Sequence, residues 1–389
     1  MCRNGHRAFF RSPHAGWQRA AIGAWVVLPL FAFAQAPDGE VPQPAARQAD
    51  ASSPGNDAAR PVATRATIRQ TLVIVQGAEG EPQFGELFTS WAERWRTAGE
   101  QAEAEVRWIG PGAESRAAQA NPAVEASDSP DKRPAADTAP TDREALQAVL
   151  RAATDSDDTL WLVLIGHGTF DGRVAKFNLR GPDMAATELA EWLKPLARPQ
   201  VIINCASSSS PFLNALSGPQ RVVMTATRSG HERNFARFGE FLSAAIADPA
   251  GDLDRDGQTS VLEAYLQAAD RVAAFYADQS RLATEHPLLD DNGDGLGTPA
   301  DWFRGTRAVK TAKAGATPDG IRANQISLVR SALERQLSPE LRQRRDELEF
   351  RLATLRTTKA TAEEAVYYQQ LEAIVRQLAE IYALSAEAP

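Results

Sequence analysis

Cysteine is almost missing from this chain: two in 389 residues, Cys2 and Cys205. Basic residues are in deficit, 42 Lys and Arg against 50 Asp and Glu, and no apolar run reaches the roughly 20 residues that cross a bilayer. The first shortage excludes a disulfide-stapled scaffold. The second excludes a broad phosphate-binding surface, because nucleic-acid binding needs clustered cations that release counterions. The third excludes a multispan membrane protein. What remains is a chain of 43% hydrophobic and 24% charged residues, enough to bury one large core or two ordinary ones. Its surplus of carboxylates points toward cations.

The N-terminus has a different character. Arg3, Arg7, Arg11 and Arg19 precede an apolar run over residues 20–33 that ends in the small-x-small triplet Ala32-Phe33-Ala34. This pattern predicts a secretory signal over 1–34, cut before Gln35, and an exported chain, periplasmic or secreted. The alternative is an uncleaved anchor helix. Losing those four arginines takes the formal charge from −8 to −12. The mature chain then keeps Cys205 as its only cysteine and His167, His231 and His286 as its only histidines. It has no membrane span, and with no intrachain disulfide its stability comes from a packed core.

Residues 35–66 are rich in Pro, Ala, Asp and Gln, and the stretch from about 114 to 141 repeats that bias. Neither buries enough apolar surface to offset chain entropy. The first reads as a disordered linker, the second as a disordered insertion within a domain spanning 67–310. In that domain apolar strands at 72–75, 104–109, 160–165, 201–203 and 221–225 alternate with helical patterns. The first helix shows Phe84, Leu87, Phe88, Trp91 and Trp95 at helical spacing. Unbroken apolar strands alternating with helices predict an α/β fold, a mainly parallel sheet covered on both faces as a three-layer αβα sandwich. Ligands in such sheets sit beyond the carboxyl ends of the strands. Residues 321–389 predict a helical hairpin, with Leu341, Leu348, Leu352 and Leu355 facing Tyr367, Leu371, Ile374, Leu378 and Ile381. It packs on itself or the domain; the alternative is a partner-binding coiled coil.

Two strand ends carry residues that a core strand would not tolerate. The third runs Ile165-Gly166-His167-Gly168-Thr169, the fourth Asn204-Cys205-Ala206-Ser207-Ser208-Ser209-Ser210. A histidine at one tip and a run of nucleophiles at its neighbour suit acyl transfer. The imidazole takes the nucleophile's proton, and backbone N–H groups, that of Gly168 among them, hold the oxyanion.

On these elements, with the strand Val222-Val223-Met224-Thr225 and the following Phe238-Gly239, the sequence resembles the caspase-like clan of cysteine peptidases and, within it, the legumain-type family, as a bacterial homologue. The resemblance covers about residues 71–302. It implies a Cys/His-dyad endopeptidase on a six-stranded sandwich, acting on a peptide or protein. The family places Ala directly before its nucleophile, so Ala206 sets Ser207 at the nucleophile position and displaces the Cys205 thiol by two residues, about 7 Å along a strand. Three readings follow: Ser207 marks a degenerate site in a pseudo-peptidase, Cys205 is the nucleophile after a register shift, or Ser207 acts as a serine nucleophile with His167. The family's arginine beyond the first strand is replaced here by Gln76-Gly77-Ala78, so a preference for Asn or Asp at the cut does not carry over. His231 reads as a surface residue and His286 as one that only packs.

A further motif lies at 252–263. Asp252, Asp254, Asp256, Gln258, Ser260 and Glu263 occupy positions 1, 3, 5, 7, 9 and 12 of an EF-hand loop, with Gly257 at the sharp turn. Three Asp, a bidentate Glu, a backbone carbonyl and a water held by Ser260 supply the hard oxygens that calcium needs. A weaker repeat of the spacing sets Asp290, Asn292, Asp294 and Asp301 in a second acidic loop. The reading is therefore an exported, calcium-binding peptidase homologue. The alternative is a catalytically inactive, calcium-dependent binding or scaffold protein on the same fold.

Overall fold

The structure, a computed structural model, describes residues 70–113, 140–155, 158–310 and 317–386. The expected signal at 1–34, the linker at 35–66 and all but the last residues of the 114–141 insertion lie outside the described residues.

All five expected strands form. In chain order the sheet-building elements are β1 (Thr71–Gln76), α1 (Pro82–Gln101), β2 (Glu105–Ile109), α2 (Asp142–Ala152) and β3 (Leu160–Ile165). A small antiparallel sheet follows directly, made of β4 (Gly168–Phe170), β5 (Ala175–Phe177) and β6 (Met184–Ala185). Next come α3 (Ala186–Leu193), β7 (Gln200–Asn204), α4 (Ser210–Leu216), β8 (Arg221–Thr225), α5 (Phe238–Ala245), α6 (Val261–Asp278) and β9 (Leu288–Asp290). The main sheet has the order β2-β1-β3-β7-β8-β9. Its first five strands are parallel, and β9 closes the edge antiparallel to β8.

The strand sequences explain the layers. Successive side chains point to opposite faces, and every inner strand is apolar on both. Leu72, Ile74, Trp161, Val163, Ile165, Val201 and Ile203 pack beneath α1, α5 and α6, with Trp91, Trp95, Phe238 and Tyr265. Val73, Val75, Leu160, Leu162, Leu164 and Ile202 pack beneath α2, α3 and α4, with Leu146, Leu189 and Phe212. Each such fully buried side chain is worth about 1.5–3 kcal/mol of transfer free energy. The result is an αβα sandwich with a core on each face of one sheet.

Helix ends follow local chemistry. Pro82 starts α1 at a position where its missing N–H costs nothing. Thr141 and Glu144 close a capping box on α2, and Ser260 and Glu263 do the same on α6. Beyond β9 the chain makes a hairpin of β10 (Phe303–Arg304) and β11 (Arg307–Ala308), then α7 (Ile321–Gln325), α8 (Ala332–Gln336), α9 (Pro339–Thr358) and α10 (Glu364–Ala386). Leu348, Leu355, Tyr367, Ile374 and Ile381 form the seam of the α9–α10 pair. Ala323 and Leu328, however, are fully buried in the core of the sandwich. The domain therefore extends past the boundary at 310 expected from the sequence, because the hairpin's own apolar seam begins only at Leu337. No helix among the described residues is long and apolar enough to cross a membrane.

Candidate functional site

The carboxyl ends of β3 and β7 are hydrogen-bonded neighbours, with Leu164 opposite Asn204. Beyond that pairing the two chains stay together. The Ser207 hydroxyl donates to the Gly168 carbonyl at 3.2 Å, and the Gly168 N–H points back at the same oxygen at 3.4 Å. A Cβ on Gly168 would stand 2.3 Å from the Ser207 carbonyl oxygen. Glycine is required here by the approach of the two tips to one another, rather than by a substrate.

His167 immediately precedes Gly168, and its ring turns toward α1 and the loop before it. Its Nε2 lies 3.1 Å from the Glu79 carbonyl oxygen, in the loop between β1 and α1. Its ring meets Phe84 and Phe88 edge-on, with centroids 5.0 and 5.1 Å away. If Nε2 donates to that carbonyl, Nδ1 is the basic nitrogen, since the partner of one ring nitrogen sets the role of the other. The orienting group is a backbone oxygen, invisible to any reading of side chains.

Cys205 does not join this group. The chain leaves the sheet at Asn204, whose Oδ1 accepts the Ala206 N–H at 3.0 Å, a local side-chain turn of the kind Asn favours. Cys205 thus points into one core and Ala206 into the other, while Ser207, itself only 6% exposed, meets Gly168 at the tip. The thiol is 1% exposed beneath α1 and α5. A Cβ on Gly239 would lie 2.7 Å from that of Cys205 and 2.9 Å from the Trp91 ring, so the glycine lets α5 seal the thiol in. Burial, aided by the charge of Glu285, pushes its pKa far up, away from the thiolate that nucleophilic chemistry needs. This corrects the register-shift expectation.

The serine run after Ser207 is held by the loop that follows β8. Ser208 sits in the left-handed region at φ 54°, and its N–H donates to the Glu232 carbonyl at 2.8 Å. The Ser209 hydroxyl meets Thr227 Oγ1 at 3.2 Å. Glu232 also carries His286, with Nδ1 2.6 Å from its Oε1, so His286 is an anchor for the loop rather than mere packing. His231 is exposed, its ring 5.4 Å from Phe170.

At the opposite end of α5, a short 3₁₀ turn at Pro249–Gly251 leads into the 252–263 loop. One carboxylate oxygen from each of Asp252, Asp254 and Asp256 lies within 4.8 Å of the others, the one cluster of three metal-ligating groups among the described residues. Asp252 accepts the N–H groups of Asp256 and Gly257 at 3.1 and 3.0 Å. Glu263, 1% exposed, accepts those of Leu253, Asp254 and Ser260. Arg255 and Gly257 take φ of 63° and 87°, which coils the loop around its oxygens. Burial, opposed by hydrogen bonds from Gln258 and reinforced by the charges of Asp254 and Glu263, pushes the Asp256 carboxyl up to about 6. A hard-oxygen donor set at mutual repulsion is a fit for a divalent cation of calcium's chemistry.

The second acidic run behaves differently. Asp290, 1% exposed, accepts the Gly293 and Gly295 N–H groups, both at 2.9 Å, and Asn292 Oδ1 accepts that of Asp294. Asp301 sits exposed in a separate 3₁₀ turn at Ala300–Trp302. Asp290, Asp294 and Asp301 do not cluster among the described residues. Asp319, unforeseen from the sequence, binds this loop instead: it accepts from the N–H groups of Asp291 and Asn292 and from Thr298 Oγ1. Burial and the neighbouring Asp291 push its carboxyl up to about 8.

No protein-family model matches the chain, and none of the curated proteins matches it. Among solved structures the chain is similar to the Drosophila initiator caspase Dronc, at a TM-score of 0.35 and 11% sequence identity over 58% of this chain and 80% of that one.

Proposed function

We propose that the chain is an exported, calcium-binding, caspase-like homologue of the legumain-type peptidases that holds a peptide or protein segment at the β3–β7 tips without cleaving it. The carrying observation is the fate of the nucleophile: the only thiol in the described residues lies sealed in the core at Cys205, while the hydroxyl at Ser207 is engaged by both backbone groups of Gly168. A hydroxyl with no carboxylate behind its base is a weak nucleophile beside a thiolate. Export is supported by the basic, apolar and small-x-small order of residues 1–34. Calcium is supported by the twelve-residue pattern, in which Gln258, Ser260 and Glu263 hold the remaining ligand positions, and by the clustering of Asp252, Asp254 and Asp256.

A second reading has one observation in its favour. With Nε2 of His167 held by the Glu79 carbonyl, Nδ1 is left to accept a proton, which is what a serine-type reading of Ser207 with His167 would require once the Ser207 hydroxyl is released from Gly168. Incubating the chain with calcium, a fluorogenic peptide pool and a serine- or thiol-directed acyl probe separates the two. Binding of peptides without cleavage or labelling is the expected result. Turnover or labelling lost in both His167→Ala and Ser207→Ala would replace the proposal with the serine dyad.

A further inference from the structure

The three clustered carboxylates are not held alike. Asp252 is fixed by N–H groups of its own loop. Asp254 and Asp256 each receive a hydrogen bond from an amide side chain tied to the segment that leads into the C-terminal hairpin. Asn324 Nδ2 donates to Asp254 Oδ2 at 3.2 Å, while Asn324 Oδ1 faces the Ser260 hydroxyl at 3.4 Å. Gln258 Nε2 donates to Asp256 Oδ2 at 3.0 Å, and Gln258 Oε1 in turn accepts the Ser331 N–H at 3.0 Å. The backbone crosses at the same place, Val261 N–H donating to the Ile326 carbonyl at 2.8 Å. From there the path continues into the hairpin, because Gln325 Nε2 donates to the Asp346 carbonyl and to Glu349, at 2.9 and 3.1 Å.

Groups that hydrogen-bond a ligating carboxylate fix its orientation and are worth about 10–100-fold in metal affinity. We propose that Asn324 and the Ser331 N–H, acting through Asp254 and through Gln258, are positioning groups for the cation loop, so that cation occupancy and docking of the 324–331 segment favour each other. The inference rests on the calcium reading above and adds its regulation. Linkage makes the effect reciprocal: a docked segment tightens the loop's grip on calcium, and calcium holds the segment against the sandwich.

The test titrates calcium chloride into the full chain by calorimetry, for the natural sequence, Asn324→Ala and Asn324→Leu, with hydrogen exchange of 324–331 read with calcium and with chelator. The expected result is calcium binding weakened about tenfold in both variants, a calcium-induced rise in melting temperature smaller than that of the natural chain, and calcium-induced protection of 324–331 that shrinks in the variants. Binding by the natural chain that neither variant weakens, with exchange indifferent to calcium, overturns the coupling and leaves the calcium reading intact. No heat from the natural chain overturns both.

Discussion

Replacing Cys205 distinguishes a core residue from a nucleophile by the order of two effects. The side chain is 1% exposed within the cluster that holds Trp91 and Phe238. Cys205→Ala removes one sulfur and leaves a small void, a loss of about 1 kcal/mol. Cys205→Ser keeps the shape but places a hydroxyl among Trp91, Gly239 and apolar strand residues. Burying that group without a partner costs about 1–3 kcal/mol, on top of the lost apolar transfer. The more conservative change is therefore the more destabilising one, by about 1 kcal/mol or more in urea denaturation monitored by tryptophan fluorescence. The thiol supplies an independent reading. A disulfide reagent reaches it only through opening of the core, and for a domain stable by about 5–15 kcal/mol the native rate falls about three orders of magnitude or more below that of the denatured chain. Both effects are absent if Cys205 faces the cleft. Equal stability of the two variants, or native labelling near the denatured rate, would refute the placement.

Other consequences can be measured on the same material. Gly168→Ala forces a Cβ to within 2.3 Å of the Ser207 carbonyl, and overpacking of this kind costs about 1–3 kcal/mol; an unchanged denaturation midpoint would deny the contact between the tips. Asp319 keeps its proton up to about pH 8 in the fold but ionises near pH 4 when unfolded. Its contribution to stability is complete below pH 4 and is lost as the pH rises through 8, so Asp319→Asn flattens the decline of stability between about pH 4 and pH 8; parallel curves for the two proteins would exclude the raised pKa. Calcium at 100 times its dissociation constant should stabilise the chain by about 2.7 kcal/mol. Glu263→Gln and chelator should each abolish that gain, and a calcium-independent melting temperature would remove the loop from the account.

The sandwich was legible because its inner strands are apolar on both faces: runs such as Leu160–Ile165 fit little else once helices with period 3.6 separate them. The edge was not. β9 offers only Leu288–Asp290, and β4, β5 and β6 have two or three residues each, too few to show alternation. The candidate site was half legible. His167 and Gly168 stand out as polar intrusions after an apolar strand, but choosing between Cys205 and Ser207 depends on where the strand stops. Extending the alternation keeps both on one face, whereas the turn at Asn204 parts them. The groups that complete each site carried no signal of their own: Glu79 acts through its carbonyl, and Asp319 and Asn324 lie 21 or more residues from the partners they bind.

The central claim is that position 207, not 205, shares the β3–β7 tip with His167. Its most direct test is the native-state alkylation rate of Ser207→Cys in a Cys205→Ala background, compared with the natural chain. The account predicts that the thiol at 207, at a position 6% exposed, is modified measurably faster than Cys205, 1% exposed beneath α1 and α5. A thiol at 207 as protected as Cys205 would contradict it.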